Sequence, residues 1–161
     1  MCIILDTNAF GNFKKRDKGE IDEDMEPIWS WLYQKRGKIA YSPTEKIQGE
    51  WKKGGMINQM KTLNQAGKLK LVSADDVREK ADELKLSGLL KSDDPDLIAL
   101  AKIAKVKVLV VQRLTDIPRR GRKTGNSGAD SDLRTDFKNL VGGAVYMTKK
   151  HSHLLRRDTC P

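Results

Sequence analysis

The stretch Cys2-Ile3-Ile4-Leu5-Asp6-Thr7-Asn8 decides how the remainder of the chain is read. Three apolar residues, two of them β-branched, run straight into an acid, a hydroxyl and an amide. This predicts a short buried strand whose carboxyl end presents polar side chains to a cleft. In open α/β sheets, ligands bind just beyond the carboxyl ends of the strands. An acid there suits a hard cation such as Mg²⁺ or Mn²⁺, which takes oxygen ligands. The alternative is that Asp6 or Asn8 caps the next helix. The choice turns on whether acids distant in sequence converge on Asp6.

Outward from this strand, residues 9–13 read as a helix or turn, and the charged run 14–26 as a solvated connection. Pro27, at a first-turn position, opens a helix carrying Ile28, Trp29, Trp31 and Leu32 that Gly37 closes; its aromatics are expected in the core rather than as a base-stacking platform. Residues 38–41 make a second strand. Ser42-Pro43-Thr44 then lead into a helix with Glu45, Ile47, Glu50 and Trp51, broken at Gly54-Gly55 and resumed through Met56, Met60 and Leu63. A third strand is expected at 69–72, followed by a helix capped by Ser73, with Asp75 and Asp76 in its first turn and Val77, Ala81 and Leu84 on one buried face. Further strands at 106–111 and 143–147 and a helical turn at 151–155 complete the pattern. Strands alternating with helices imply right-handed crossovers and a three-layer α/β/α fold around a short, mostly parallel sheet. At 161 residues the chain suits a single domain with a sizeable core.

The second informative stretch is Lys91-Ser92-Asp93-Asp94-Pro95-Asp96-Leu97-Ile98-Ala99-Leu100-Ala101. Acids in a first turn are ordinary capping, but three within four residues exceed what a cap needs. Four acidic points therefore stand where strands end or helices begin: Asp6, the Glu45/Glu50 helix, the turn at 93–96, and the segment Asp130-Ser131-Asp132-Leu133-Arg134-Thr135-Asp136-Phe137. Carboxylates brought within a few ångström repel, so their convergence calls for a cation.

The charge balance points to a polyanionic partner: 31 Lys and Arg against 22 Asp and Glu give a net charge of +9. Much of the excess lies in a basic loop at about 112–128, where Arg113, Arg119, Arg120, Arg122 and Lys123 stand among Pro118, Gly121, Gly125 and Gly128. It is expected as an arm contacting phosphates. No apolar run approaches membrane-spanning length, and the strand pattern from residue 2 onward leads to the expectation of no secretory leader. Two cysteines, Cys2 and Cys160, and two histidines make no zinc signature. A reduced, cytoplasmic protein is expected.

Taken together, these motifs resemble the PIN-domain ribonucleases, the fold shared by VapC-type toxins and many RNA-processing nucleases. Ile3-Ile4-Leu5-Asp6-Thr7-Asn8 is similar to the family's opening strand with its Asp-x-Asn signature. Asp94-Pro95-Asp96-Leu97-Ile98-Ala99-Leu100-Ala101 is similar to its Asp-x-x-Ile-x-Ala-Leu-Ala helix, and Asp130–Phe137 to its closing Asp-x-x-Leu segment. The resemblance implies a Mg²⁺- or Mn²⁺-dependent endoribonuclease acting on RNA, single-stranded by preference. Asp6, Glu50, Asp94 and Asp130 would be the catalytic and metal-binding acids, with Glu45 and Asp132 as alternatives to Glu50 and Asp130. Thr7 and Asn8 would orient Asp6 or position water, while Lys52, Lys53 and the loop cations would hold the phosphate backbone. If the protein is a toxin, an antitoxin protein is its expected partner, and homodimers are common in the family. The chain departs from the family pattern at Val111-Gln112-Arg113, where the fourth acid usually follows the strand directly. That departure motivates the alternative of a catalytically degraded PIN-like module that binds RNA or protein. A small-molecule phosphohydrolase or a nucleotide-binding α/β domain is a third reading; the absence of a phosphate-cradling glycine loop after the first strand counts against nucleotide binding, and Asn8 stands where haloacid-type phosphatases have a second Asp.

Overall fold

The computed structural model describes residues 2–112 and 126–156, with 126–130 described by their backbone alone. The first strand, β1 (Cys2–Leu5), is buried along its whole length, so it reads as an apolar run rather than as an alternation. A 3-10 turn (Thr7–Ala9) leads into α1 (Phe10–Lys14) and a second 3-10 turn (Lys15–Lys18). Then come α2 (Glu26–Gln34), β2 (Lys38–Tyr41), α3 (Glu45–Lys53), α4 (Ile57–Gln65) and β3 (Leu69–Leu71). The second half holds α5 (Ala74–Ser87), α6 (Pro95–Ile103), β4 (Val108–Val110), α7 (Asn126–Asp136) and β5 (Ala144–Tyr146). A π-helical turn at Phe137–Val141 extends α7, and a 3-10 turn at Lys149–Leu154 follows β5.

The five strands form one sheet in the order β3-β2-β1-β4-β5, and every pairing is parallel. With helices flanking it, the chain is the expected three-layer α/β/α fold. From β1 the chain winds outward to β2 and β3, then crosses back to β4 and β5 on the other side. Right-handed crossovers place α1 to α4 on one face and α5 to α7 on the other. The packing of α6 against both α5 and the 137–141 turn agrees.

This topology fixes where a site can form. The direction of winding reverses between β1 and β4, and ligands of open parallel sheets bind at that reversal, beyond the carboxyl ends of the strands. Leu5 pairs with Val110, and the Asp6 amide donates to the Val110 carbonyl at 2.9 Å, so the chain leaving β1 and the chain leaving β4 run side by side. Each connecting helix returns antiparallel to the strands. The amino ends of α3, α6 and α7 therefore lie at the same edge as Asp6.

Two local expectations are corrected. The run 14–26 is not solvated throughout: Asp24 and Met25 are buried, and Asp24 is held by the Lys149 amide at 2.9 Å and by the Tyr146 hydroxyl, which donates to its carbonyl. Cys2 is buried and disulfide-bonded, where the sequence predicts reduced thiols.

Candidate active site at the carboxyl edge of the sheet

Asp6 sits directly past β1 and is 5% exposed. One of its carboxylate oxygens, Oδ1, accepts from the Thr7 amide at 2.8 Å and from the Thr7 hydroxyl at 3.5 Å. Thr7 thus orients Asp6, and Asp6 does cap the following turn. Asn8 has a different duty: its Oδ1 accepts from the Gln112 amide at 3.0 Å, tying the exit of β1 to the exit of β4. Ser42, by the β1–β2 register, stands opposite Asp6. It is fully buried, and among the described residues its hydroxyl has no hydrogen-bond partner.

The second group of acids comes from α3 and α6. Thr44 caps α3 by accepting from the Ile47 amide at 3.2 Å. This cap starts the helix so that Ile47 and Trp51 are buried while Glu50 is half-buried beside α6. Asp94 occupies the capping position of α6, yet its side chain makes no capping hydrogen bond. Its carboxylate instead meets the Lys46 ammonium at 3.0 Å, and the same ammonium donates to the Asp93 carbonyl. Glu50 lies in the field of both Asp94 and Asp96. Burial first, then the negative charge of Asp94, raise its carboxyl above the ordinary value; Lys46 and Lys53 pull the other way.

The turn ahead of Asp94 is anchored from behind. Asp136, buried at the end of α7, accepts from the Lys91 amide at 3.0 Å, the Ser92 amide at 2.8 Å and the Ser92 hydroxyl at 2.7 Å. It therefore serves the fold and is withdrawn from the acids at the edge. Asp132 is exposed on the surface of α7. Asp130 lies in α7, with its side chain outside the described residues, as are Arg113, Arg119, Arg120, Arg122 and Lys123.

The sequence-derived acids thus come together in part. Glu50 and Asp94 share one electrostatic environment, and Asp96, which the motif alone did not single out, joins them. Glu45 is exposed in the first turn of α3 and lines, with Lys46, Arg78 and Lys85, an adjacent groove of about 820 Å³. Lys52 and Lys53 are exposed at the far end of α3. Among the described residues no three acids, histidines or cysteines close into a complete metal ligand set. Lys46 carried no signal in the sequence, since nothing in residues 45–50 announces a partner near 94. The donors that do gather are carboxylate oxygens with an excess of negative charge, which fits a hard divalent cation rather than a soft one.

Fold and site together define an open, all-parallel α/β protein with a carboxylate-rich edge at its topological reversal. The chain matches no protein-family model, no curated protein and no solved structure. Among the described residues no helix is long and apolar enough to cross a membrane.

Proposed function

We propose that the protein is a Mg²⁺- or Mn²⁺-dependent nuclease of single-stranded RNA, of the kind the PIN-domain resemblance implies. The observation that carries this reading is the state of Asp94: at a helix start, where a carboxylate ordinarily caps, its side chain makes no capping bond and faces Lys46 beside Glu50. Asp6, Glu50 and Asp94 would hold the ion, with Asp96 adding negative charge and Asp130 completing the set. Such an ion would supply an activated water and positive charge for the oxygens that become negative at the phosphate. Thr7 fixes the rotamer of Asp6, and Asn8 keeps the two strand exits together. Lys46, Arg78 and Lys85 stand in the adjoining groove among Glu45, Asp93 and Asp96, and each is paired with an acid, Asp94, Asp75 and Asp82 respectively, so a phosphate backbone lying there would exchange these pairs for its own charge.

The alternative, a PIN-like module that binds RNA or protein without cutting it, is favoured by Gln112, which stands where the fourth acid is expected and is engaged through its amide by Asn8. Cleavage of an end-labelled single-stranded RNA in Mn²⁺ separates the two readings. The nuclease reading expects cleavage by the wild type and a loss of about a hundredfold or more in Asp6→Asn and in Asp94→Asn, since an ion's charge stabilisation is worth several kcal/mol. Equal cleavage by all three proteins would remove the proposed site, and binding without cleavage would establish the alternative.

A further inference from the structure

A second feature lies on a different part of the molecule. Phe13, Trp29 and Tyr33 form a slab of near-parallel rings: Phe13 and Trp29 are 4.2 Å apart at 16°, Trp29 and Tyr33 6.1 Å apart at 13°. The Trp29 indole is fixed by its Nε1, which donates to the Phe13 carbonyl at 3.2 Å. Core packing accounts for Phe13, which is fully buried, but not for Tyr33, which is 46% exposed. The Arg16 guanidinium lies 4.9 Å from the Trp29 ring centre and 5.9 Å from that of Tyr33, and the Lys68 ammonium 5.6 Å from Tyr33.

Beside the slab is a cavity of about 610 Å³ whose aromatic floor is Trp29 and Tyr33 and whose walls include Arg16, Asn58 and Thr62. Asp17 also lines it, with its carboxylate taken up by the Gln59 amide group. The chain leaves α2 through Lys35, Arg36 and Lys38, and Lys68 precedes β3. Among the described residues none of Arg16, Lys35, Arg36, Lys38 and Lys68 forms an ion pair. β2 and β3 begin here, so this surface reaches the amino edge of the sheet, opposite the carboxylates.

We propose that this surface is a binding site for single-stranded nucleic acid, in which a base stacks on the exposed Tyr33 ring beside the Arg16 guanidinium that lies over Trp29, while the neighbouring cations hold the flanking phosphates. Fixed aromatic faces, a guanidinium plane and amide or hydroxyl groups at the walls are the elements by which proteins take hold of unstacked bases. Arg16 on the cavity wall and Lys68 over Tyr33 outnumber the one lining acid, Asp17, which the Gln59 amide group engages, and this balance favours a polyanion over a neutral peptide. A smaller cavity of about 300 Å³ shares Arg16, Trp29 and Tyr33 with it but is rimmed by Glu20, Asp22 and Glu26 and is the poorer fit for phosphates. The proposal goes beyond the nuclease reading and does not depend on it, because it needs neither the carboxylate edge nor a divalent ion.

The test is titration of the whole protein with an oligoadenylate octamer in EDTA, followed by tryptophan fluorescence. Trp31 and Trp51 are 2% and 4% exposed, so quenching by a stacked base reports Trp29. Saturable quenching is expected, weakened about tenfold in Tyr33→Ala and in Arg16→Ala, and retained in Tyr33→Phe. Circular dichroism and melting of the variants should match the wild type, since both side chains lie at the surface. Wild-type affinity in both alanine variants would overturn the proposal. So would equal quenching by polyglutamate or polyphosphate, which would make the surface a docking face for acidic protein or a charge-only patch. Failure of either kind leaves metal-dependent cleavage standing or falling on its own experiment.

Discussion

At the scale of single residues, Glu50 concentrates the electrostatics of the carboxylate edge. Burial, then Asp94, hold its carboxyl above the ordinary 4.5, with Asp96 adding to the rise. The folded protein therefore retains the Glu50 proton at a pH where the unfolded chain has released it. Stability from this group is complete below the unfolded value and is lost as pH rises through the folded one. Without a divalent ion, Glu50→Gln should accordingly raise the melting temperature by a few degrees at neutral pH, and the gain should vanish below the usual glutamate range. Thermal melts in EDTA across pH check this. Protons and ion compete for the same carboxylate, so Mn²⁺ affinity should fall as pH drops through the raised value, which calorimetry measures. Asp136 offers a contrast. Removing it in Asp136→Ala leaves the buried Ser92 amide and hydroxyl and the Lys91 amide without their acceptor, at a cost of about 3 kcal/mol in urea unfolding. Its effect on cleavage should arise through the misplaced turn before Asp94.

At the scale of elements, the sharpest constraint is the corner after α7. Gly142 takes a left-handed φ of 71° to end the π-helical turn. A Cβ on Gly143 would stand 2.4 Å from the Phe137 ring and 2.8 Å from the Lys107 carbonyl. Gly143→Ala should cost about 1–3 kcal/mol through forced displacement of Phe137 and β5, more than Gly67→Ala, where open space leaves only the backbone strain. Chemical denaturation ranks the two. Elements of this kind were only partly legible in the sequence. The buried strands β1 and β4, the break at Gly54-Gly55 and the inward residues Val77, Ala81 and Leu84 follow from apolar runs, glycine pairs and helical spacing, all local properties. The π-helical turn was not legible, nor was the anchoring of Asp24, because both are set by contacts with segments more than a hundred residues away or by packing. Ser73 precedes α5 as its sequence position suggests, yet its side chain makes no capping bond; propensity names the residue but not its rotamer. Spacing alone places Trp29 in the core, and only the fold reveals that its slab opens onto a cavity.

At the scale of the whole molecule, the topology explains why the sequence could propose a site it could not complete. A parallel sheet sends helix starts to one edge, so the sequence offers Asp6, Glu50 (or Glu45) and Asp94 as candidates for that edge. Which carboxylates meet depends on helix rotation: Glu50 lies in the field of Asp94 and Asp96, Glu45 and Asp132 are exposed, and Asp136 is turned to the Lys91 and Ser92 amides. The net charge of +9 acts at this scale too. RNA binding should weaken by about tenfold or more between 50 and 200 mM salt if three phosphates are neutralised, as fluorescence anisotropy in EDTA would record; a flat salt profile would mean that the excess charge is not used for binding.

The claim on which the rest depends is that Asp6 and Asp94, far apart in sequence, serve one cation. Crystals soaked in Mn²⁺ and measured at the manganese absorption edge test it directly. The expected result is an anomalous peak at the carboxyl edge of β1, contacted by both Asp6 and Asp94 with Glu50 alongside. A peak elsewhere, or an ion held by Asp94 and Glu50 without Asp6, would contradict it.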